Sequence, residues 1–368
     1  MIRSLTLSTA AAVLLSAALL APARAEPPPG SGGHGAGGVE SFADPSQSGP
    51  PEGGATPGAA DASAPADHPK PPKRRRKPRP PPPAAAPPAA PAPPAPPAAA
   101  LEWRPADPDN TLVLETSKGT VIIALAPVMA PQSVARVKQL ARRGLYDGLL
   151  FHRVIDGFVA QTGNPNNHDG GKSSEPNLPP EFTFRLGADM SHAVAQRPTG
   201  GAAGLLQGQP YESAAEELMA RSPDHRITAW GAYCAGVMGM GHDAAPDTGN
   251  SEIFFMRDPA RRLDRGYSVV GRVLSGLDIL RSLAVGEPPA TPDRMVRVRV
   301  LADMPAAERP TVEIADTTGP AFHAVIDRVR TQRGADFSVC DLEVPVRITP
   351  PAASPPPPKP AASTPEPG

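Results

Sequence analysis

Arg153 and Gln161, on either side of a turn in FHRVIDGFVAQTGNP, are the residue types in this sequence best suited to chemistry without a cofactor. An arginine presents five N–H donors in a fixed fork, and a glutamine both donates and accepts. A face carrying both beside apolar groups can grip something apolar while hydrogen-bonding its polar atoms. Whether they share a face depends on the turn. With the loop Asp156-Gly157-Phe158, Ile155 pairs with Val159 and Arg153 lies opposite Gln161; a loop one residue shorter puts them on opposite faces. The plainer alternative is that Arg153 pairs with a carboxylate across the sheet and only ties strands together.

Other chemistries find less support. His152 adjoins Arg153, and strand alternation turns it to the opposite face, as a structural histidine with satisfied polar atoms. His225, His242, Asp243 and Asp247 do not put three ligands on one element, so neither a metal nor a cofactor is expected. The glycines around Gly239 and Gly241 are not followed by GKS or GKT, which excludes a phosphate loop. No Ser, His and Asp arrangement stands out as a catalytic triple.

Short strands must position these residues. TLVLETSKGTVIIALA alternates about Ser117-Lys118-Gly119, with Leu112 and Leu114 on one arm and Val121, Ile123 and Leu125 on the other, which predicts a hairpin. PQSVARVKQLARRG puts Val134, Val137, Leu140 and Ala141 on one helical face and ends in cations and a glycine, as helix C-termini do. YCAGVMGM, SEIFFM and YSVVGRV read as further strands. A second helix is expected from Ser275, burying Leu277, Leu280 and Leu283, and MVRVRV as a last strand with its arginines outward. The pattern predicts a mainly β fold, a closed eight-stranded antiparallel barrel capped by two α-helices. Residues 166–227 break the rhythm with Gly and Pro and read as an enlarged surface loop, with one short helix capped by Ser213 and Glu216. Residues 302–348 read as an irregular extension until FSVCDLEVPVRI, which suggests one or two added strands.

YDGLLFHRVIDGFVAQTGNP is similar to the signature YDG-x-x-FHR-x-I-x-GF-x-x-Q-x-G-[DN] of the cyclophilin-type peptidyl-prolyl isomerases. SEIFFM resembles their SQFFI strand, and LDRGYSVVGRVLSGLDIL their LDG-x-[HY]-x-x-FG-x-V-x-x-G stretch, in the same order, over about Leu112 to Val300. The resemblance implies a catalytic Arg153, a proline pocket floored and walled by Phe158 and Phe254 and rimmed by Leu263, and a Gln161 that bonds the substrate backbone. Val159 stands where the family has methionine, and Tyr267 where eukaryotic members have histidine. Gly241-His242 replaces Ala-[Asn/Arg] on a strand used through its backbone, and Glu252 replaces glutamine, placing a carboxylate near Arg153. Ile253 replaces the first phenylalanine of SQFF, and Val270 replaces phenylalanine. Arg262 takes a position often held by tryptophan, which puts sensitivity to cyclosporin-like ligands in doubt.

Isomerisation needs little more. Rotation about a peptide bond faces a barrier of about 18–20 kcal/mol because the nitrogen lone pair is delocalised. Halfway round, that lone pair localises and the prolyl nitrogen becomes an acceptor, so a fixed guanidinium stabilises the transition state selectively. The partners implied are proline-containing polypeptides. A different class, a proline-segment binding or chaperone module with little turnover, is motivated by the altered rim at Gly241, His242, Glu252 and Arg262.

The 53 prolines of the 368 residues concentrate outside this region. Residues 1–25 carry Arg3, an apolar run and Ala23-Arg24-Ala25, the pattern of a secretory signal cleaved after Ala25, so export to the periplasm is expected. Residues 26–100 and 349–368, rich in Pro, Ala and Gly, read as disordered segments. Within the first, Lys73 to Arg79 is a basic run read as a solvated spacer, with weak contact to anionic surfaces as its alternative. The net charge of -1 argues against nucleic acid as a partner, and the expected state is a monomer. Cys234 and Cys340 have no metal-ligand spacing; they read as two buried small residues, or as a bonded pair in an oxidising compartment.

Overall fold

The computed structural model describes residues 100–351, so the signal segment, nearly all of the linker with its basic run, and nearly all of the proline-rich tail lie outside the described residues. A short strand β1 (Trp103–Pro105) leads into β2 (Thr111–Thr116) and β3 (Gly119–Leu125), the first predicted hairpin. Thr116 pairs with Gly119, so Ser117 and Lys118 alone make the turn. Helix α1 (Pro131–Arg142) buries the predicted Val134, Val137, Leu140 and Ala141 and is followed by Gly144 at φ 67°. Then comes the hairpin of β4 (Arg153–Ile155) and β5 (Val159–Thr162).

The segment expected to be an enlarged loop is irregular up to residue 183 and then contains a sheet. It forms β6 (Phe184–Gly187), β7 (His192–Gln196), β8 (Gly201–Leu206), β9 (Gln209–Ala214) and β10 (Arg226–Gly231), ordered β6-β10-β9-β8-β7. The predicted cap fails because Ser213 belongs to β9, and the turn of 3-10 helix that follows at Glu216–Arg221 has no side-chain cap. Low β-propensity of Gly and Ala hides β8 from a sequence reading; in the fold those small side chains let neighbouring backbones approach. A Cβ at Gly204 would collide with the carbonyl oxygen of Ala193.

The remaining elements are β11 (Val237–Met240), β12 (Ile253–Met256), β13 (Ser268–Ser275), α2 (Leu277–Arg281) and β14 (Met295–Val300). Ser275 ends β13 and Gly276, at φ 92°, separates it from α2, so the helix starts later than predicted. Eight strands make an antiparallel sheet in the order β14-β2-β3-β13-β11-β12-β5-β4. The predicted closure does not occur: the end strands β14 and β4 share no ladder. Isolated bridges, Leu150 with Arg294 and Val154 with Gly286, span the gap. Strand β4 has only three residues, which leaves little length for a ladder.

The C-terminal extension supplies β15 (Thr311–Ala315), helix α3 (Pro320–Arg333) and β16 (Val346–Thr349). The strands join β1 in a three-stranded sheet, β1-β15-β16. FSVCDLEV, read as strand, is instead irregular around one 3-10 turn, Val339–Asp341. Val113 and Ile122 pack with Val312 and Ile314, which explains why the first hairpin is apolar on both faces. Cys340 is bonded to Cys234, so of the two readings of the cysteines the bonded pair is the one found.

Candidate functional site

Strand β12 shows how the fold builds the site. By alternation Ile253 and Phe255 enter the core containing α1, while Phe254 and Met256 enter a second core shared with β6 to β10. Val159 and Leu263 are buried in that second core, and Phe158 and Tyr267 pack against it. The β4–β5 register is the one a three-residue loop demands: Ile155 opposite Val159 and Arg153 opposite Gln161. Arg153 and Gln161 therefore lie on the face of Val159 and Phe254.

Arg153 is only 3% exposed. Its Nε donates to Glu287 Oε2 at 2.6 Å and its Nη1 to Gln161 Oε1 at 3.1 Å. Glu287 lies between α2 and β14, outside every motif matched above, so no sequence signal pointed to it. The plainer reading of Arg153, an ion pair, is thus present together with the amide contact, and the two bonds fix the guanidinium from both sides.

Gln161 Nε2 donates to Glu252 Oε1 at 2.5 Å and to Asp169 Oδ1 at 3.1 Å. Glu252 Oε2 accepts from Asn164 Nδ2. Burial pushes the Glu252 carboxyl up to about 7; the charges of Asp169 and Asp243 push the same way, against the hydrogen bonds from Asn164 and Gln161. Gly241 makes room for this carboxylate, because a Cβ there would collide with Glu252 Oε1. The departures at 241 and 252 therefore lie against each other.

His152 differs from its predicted place. It precedes β4, so alternation does not govern it, and its Nε2 sits 3.1 Å from Asp169 Oδ1 and 3.8 Å from Glu252 Oε2. Its buried Nδ1 has no hydrogen-bond partner, so it is not the satisfied histidine expected. Asp169 was missed because the loop that carries it has no motif pointing at the site; Asn164 fills the last position of the matched signature, but its contact with Glu252 was not foreseen.

Aromatic contacts frame the apolar side. Tyr267 stands edge-on to Phe254 at 5.5 Å, Tyr233 stacks on Phe254 at 5.7 Å, and His242 stacks on Tyr267 at 4.4 Å. His242 is held there by a 2.8 Å contact between Nε2 and the Gly266 carbonyl. Arg262 lies over the Phe158 ring at 4.4 Å, so a cation covers one face of that ring.

A family model described as cyclophilin type peptidyl-prolyl cis-trans isomerase/CLD matches residues 111–300. The chain is similar to a probable peptidyl-prolyl cis-trans isomerase of Brucella suis, 31% identical over 204 residues covering 54% of this chain and 86% of that protein. It is also similar to peptidyl-prolyl cis-trans isomerase B of Bacillus subtilis, 29% identical over 163 residues, 44% of this chain and 82% of that one. Among solved structures, a cyclophilin from Hirschia baltica superposes with a TM-score of 0.63 at 38% identity, covering 68% of this chain and 94% of its own.

Proposed function

The chain belongs to the cyclophilin-type peptidyl-prolyl cis-trans isomerases, enzymes that act on proline-containing peptides, and from that premise we propose that Arg153 is its catalytic group. The observation that carries the proposal is the buried guanidinium, fixed by Glu287 and Gln161 on the same face as Val159 and Phe254. A proline ring seated against Phe158, Phe254 and Leu263 leaves the preceding carbonyl to swing. As the amide twists, its nitrogen gains a lone pair that the planar ground state lacks, and the Arg153 bond to it forms only then. Burial excludes water and strengthens that bond.

Gln161 positions the substrate backbone in this scheme, in competition with Glu252 for its Nε2. Burial makes the Glu252 carboxyl hold its proton more tightly than an ordinary carboxylate, and the protonated form eases that competition. The test is the isomerisation rate of an Xaa-Pro peptide. Arg153→Ala is expected to lower kcat/KM about 100-fold or more, the usual effect of removing a donor that acts in the transition state; an unchanged rate refutes the role.

Exported proteins are the proposed substrates. The signal-like residues 1–25 support this, and so does the bond between Cys234 and Cys340, which suits an oxidising compartment. Fractionation of cells expressing the full chain tests it: periplasmic protein beginning at Glu26 is expected, and cytoplasmic protein retaining Met1 refutes it.

A further inference from the structure

We propose that His152, Asp169 and Glu252 form a binding site for a divalent metal ion beside the isomerase pocket. One ligand atom from each lies within 4.8 Å of the others. His152 Nε2 is 3.1 Å from Asp169 Oδ1 and 3.8 Å from Glu252 Oε2. Neighbouring ligands of a tetrahedral ion with bonds of about 2.1 Å stand about 3.4 Å apart, so small side-chain movements complete the set. The three residues come from the segment before β4, the loop after β5 and the approach to β12, which is why no sequence spacing announces them.

A buried imidazole distinguishes this cluster from the acidic groups common on protein surfaces. His152 is 4% exposed, and two carboxylates converge on its one nitrogen. A second observation points the same way. Asn164, fully buried, directs its amide nitrogen at Glu252, and its own Oδ1 is buried without a hydrogen-bond partner. One imidazole with carboxylates suits zinc, cobalt or nickel better than magnesium or calcium, which prefer oxygen alone. His152 Nδ1 lacks the hydrogen bond that ordinarily orients a metal-bound imidazole, so affinity in the micromolar range is expected.

A bound ion would draw Glu252 away from Gln161, freeing Nε2 for the substrate, and bring positive charge towards Arg153, so the isomerisation rate would respond reversibly to the metal. That consequence rests on the roles proposed for Gln161 and Arg153; the binding itself does not.

The experiment is calorimetric titration of the untagged full chain with zinc, with cobalt absorption spectra to report the ligands. One equivalent is expected, weakened tenfold or more in Asp169→Asn and in His152→Gln. Asp169 is part-exposed in a loop, so its variant tests the site without risk to the core, and a thermal melt verifies folding of both. Arg153→Ala is expected to bind zinc as the wild type does, which separates failure of this site from failure of the catalytic assignment. Absence of saturable binding, or binding undiminished in both ligand variants, overturns the proposal.

Discussion

Replacing Glu252 by glutamine should change how stability depends on pH. The carboxyl is pushed up to about 7 from an ordinary 4.5, chiefly by burial, then by Asp169 and Asp243. A folded-state value above the unfolded one means that the native state binds the proton more tightly. The stabilisation is therefore full below about pH 4.5, and it declines as pH rises towards about 7 and is lost above it. At about 1.4 kcal/mol per pH unit, that interval amounts to about 3 kcal/mol. A neutral glutamine offers one acceptor oxygen to the two donors Gln161 Nε2 and Asn164 Nδ2, a loss of about 1–3 kcal/mol that is the same at every pH. The quantity to read is thus the change with pH in the difference between Glu252→Gln and wild type. Urea denaturation at pH 5 and pH 8.5 should show the variant gaining about 2–3 kcal/mol relative to wild type between the two. Parallel stabilities at both pH values would refute the reading of Glu252 as a buried group that costs energy to ionise.

Two further perturbations follow from the packing. Cys340→Ser opens a link between residues 106 apart, and denaturation without reductant should show a loss of about 2–4 kcal/mol; equal midpoints would mean that the bond contributes nothing to the fold. Gly241→Ala should cost about 1–3 kcal/mol through collision with the Glu252 carboxylate. Most of that cost should vanish when Glu252→Ala is added, and additive effects of the two substitutions would contradict the contact.

The parts legible in the sequence are those in which one local rule decides. A three-residue turn fixed the Arg153–Gln161 register, and apolar spacing fixed the buried face of α1. Barrel closure was misread because it depends on how two end strands meet, and the β4 and β14 segments each look regular by themselves. The sheet of β6 to β10 hid behind small residues, and α3 behind a weak apolar face that buries only Ala321, Phe322 and Ile326. Glu287 and Asp169 reach the site from loops, where neither periodicity nor spacing constrains position. The substitution of glutamine by Glu252 was visible as a carboxylate near Arg153, but its partners were not: its oxygens accept from Gln161 and Asn164, and the bond to Arg153 Nε is made by Glu287.

The central claim is that the Arg153 guanidinium acts on the rotating prolyl nitrogen. Measuring kcat/KM for an Xaa-Pro peptide with wild type and Arg153→Ala, both shown folded by thermal melt, tests it most directly. The account predicts robust catalysis by the wild type and a fall of about 100-fold or more in the variant; comparable rates in the two proteins would contradict it.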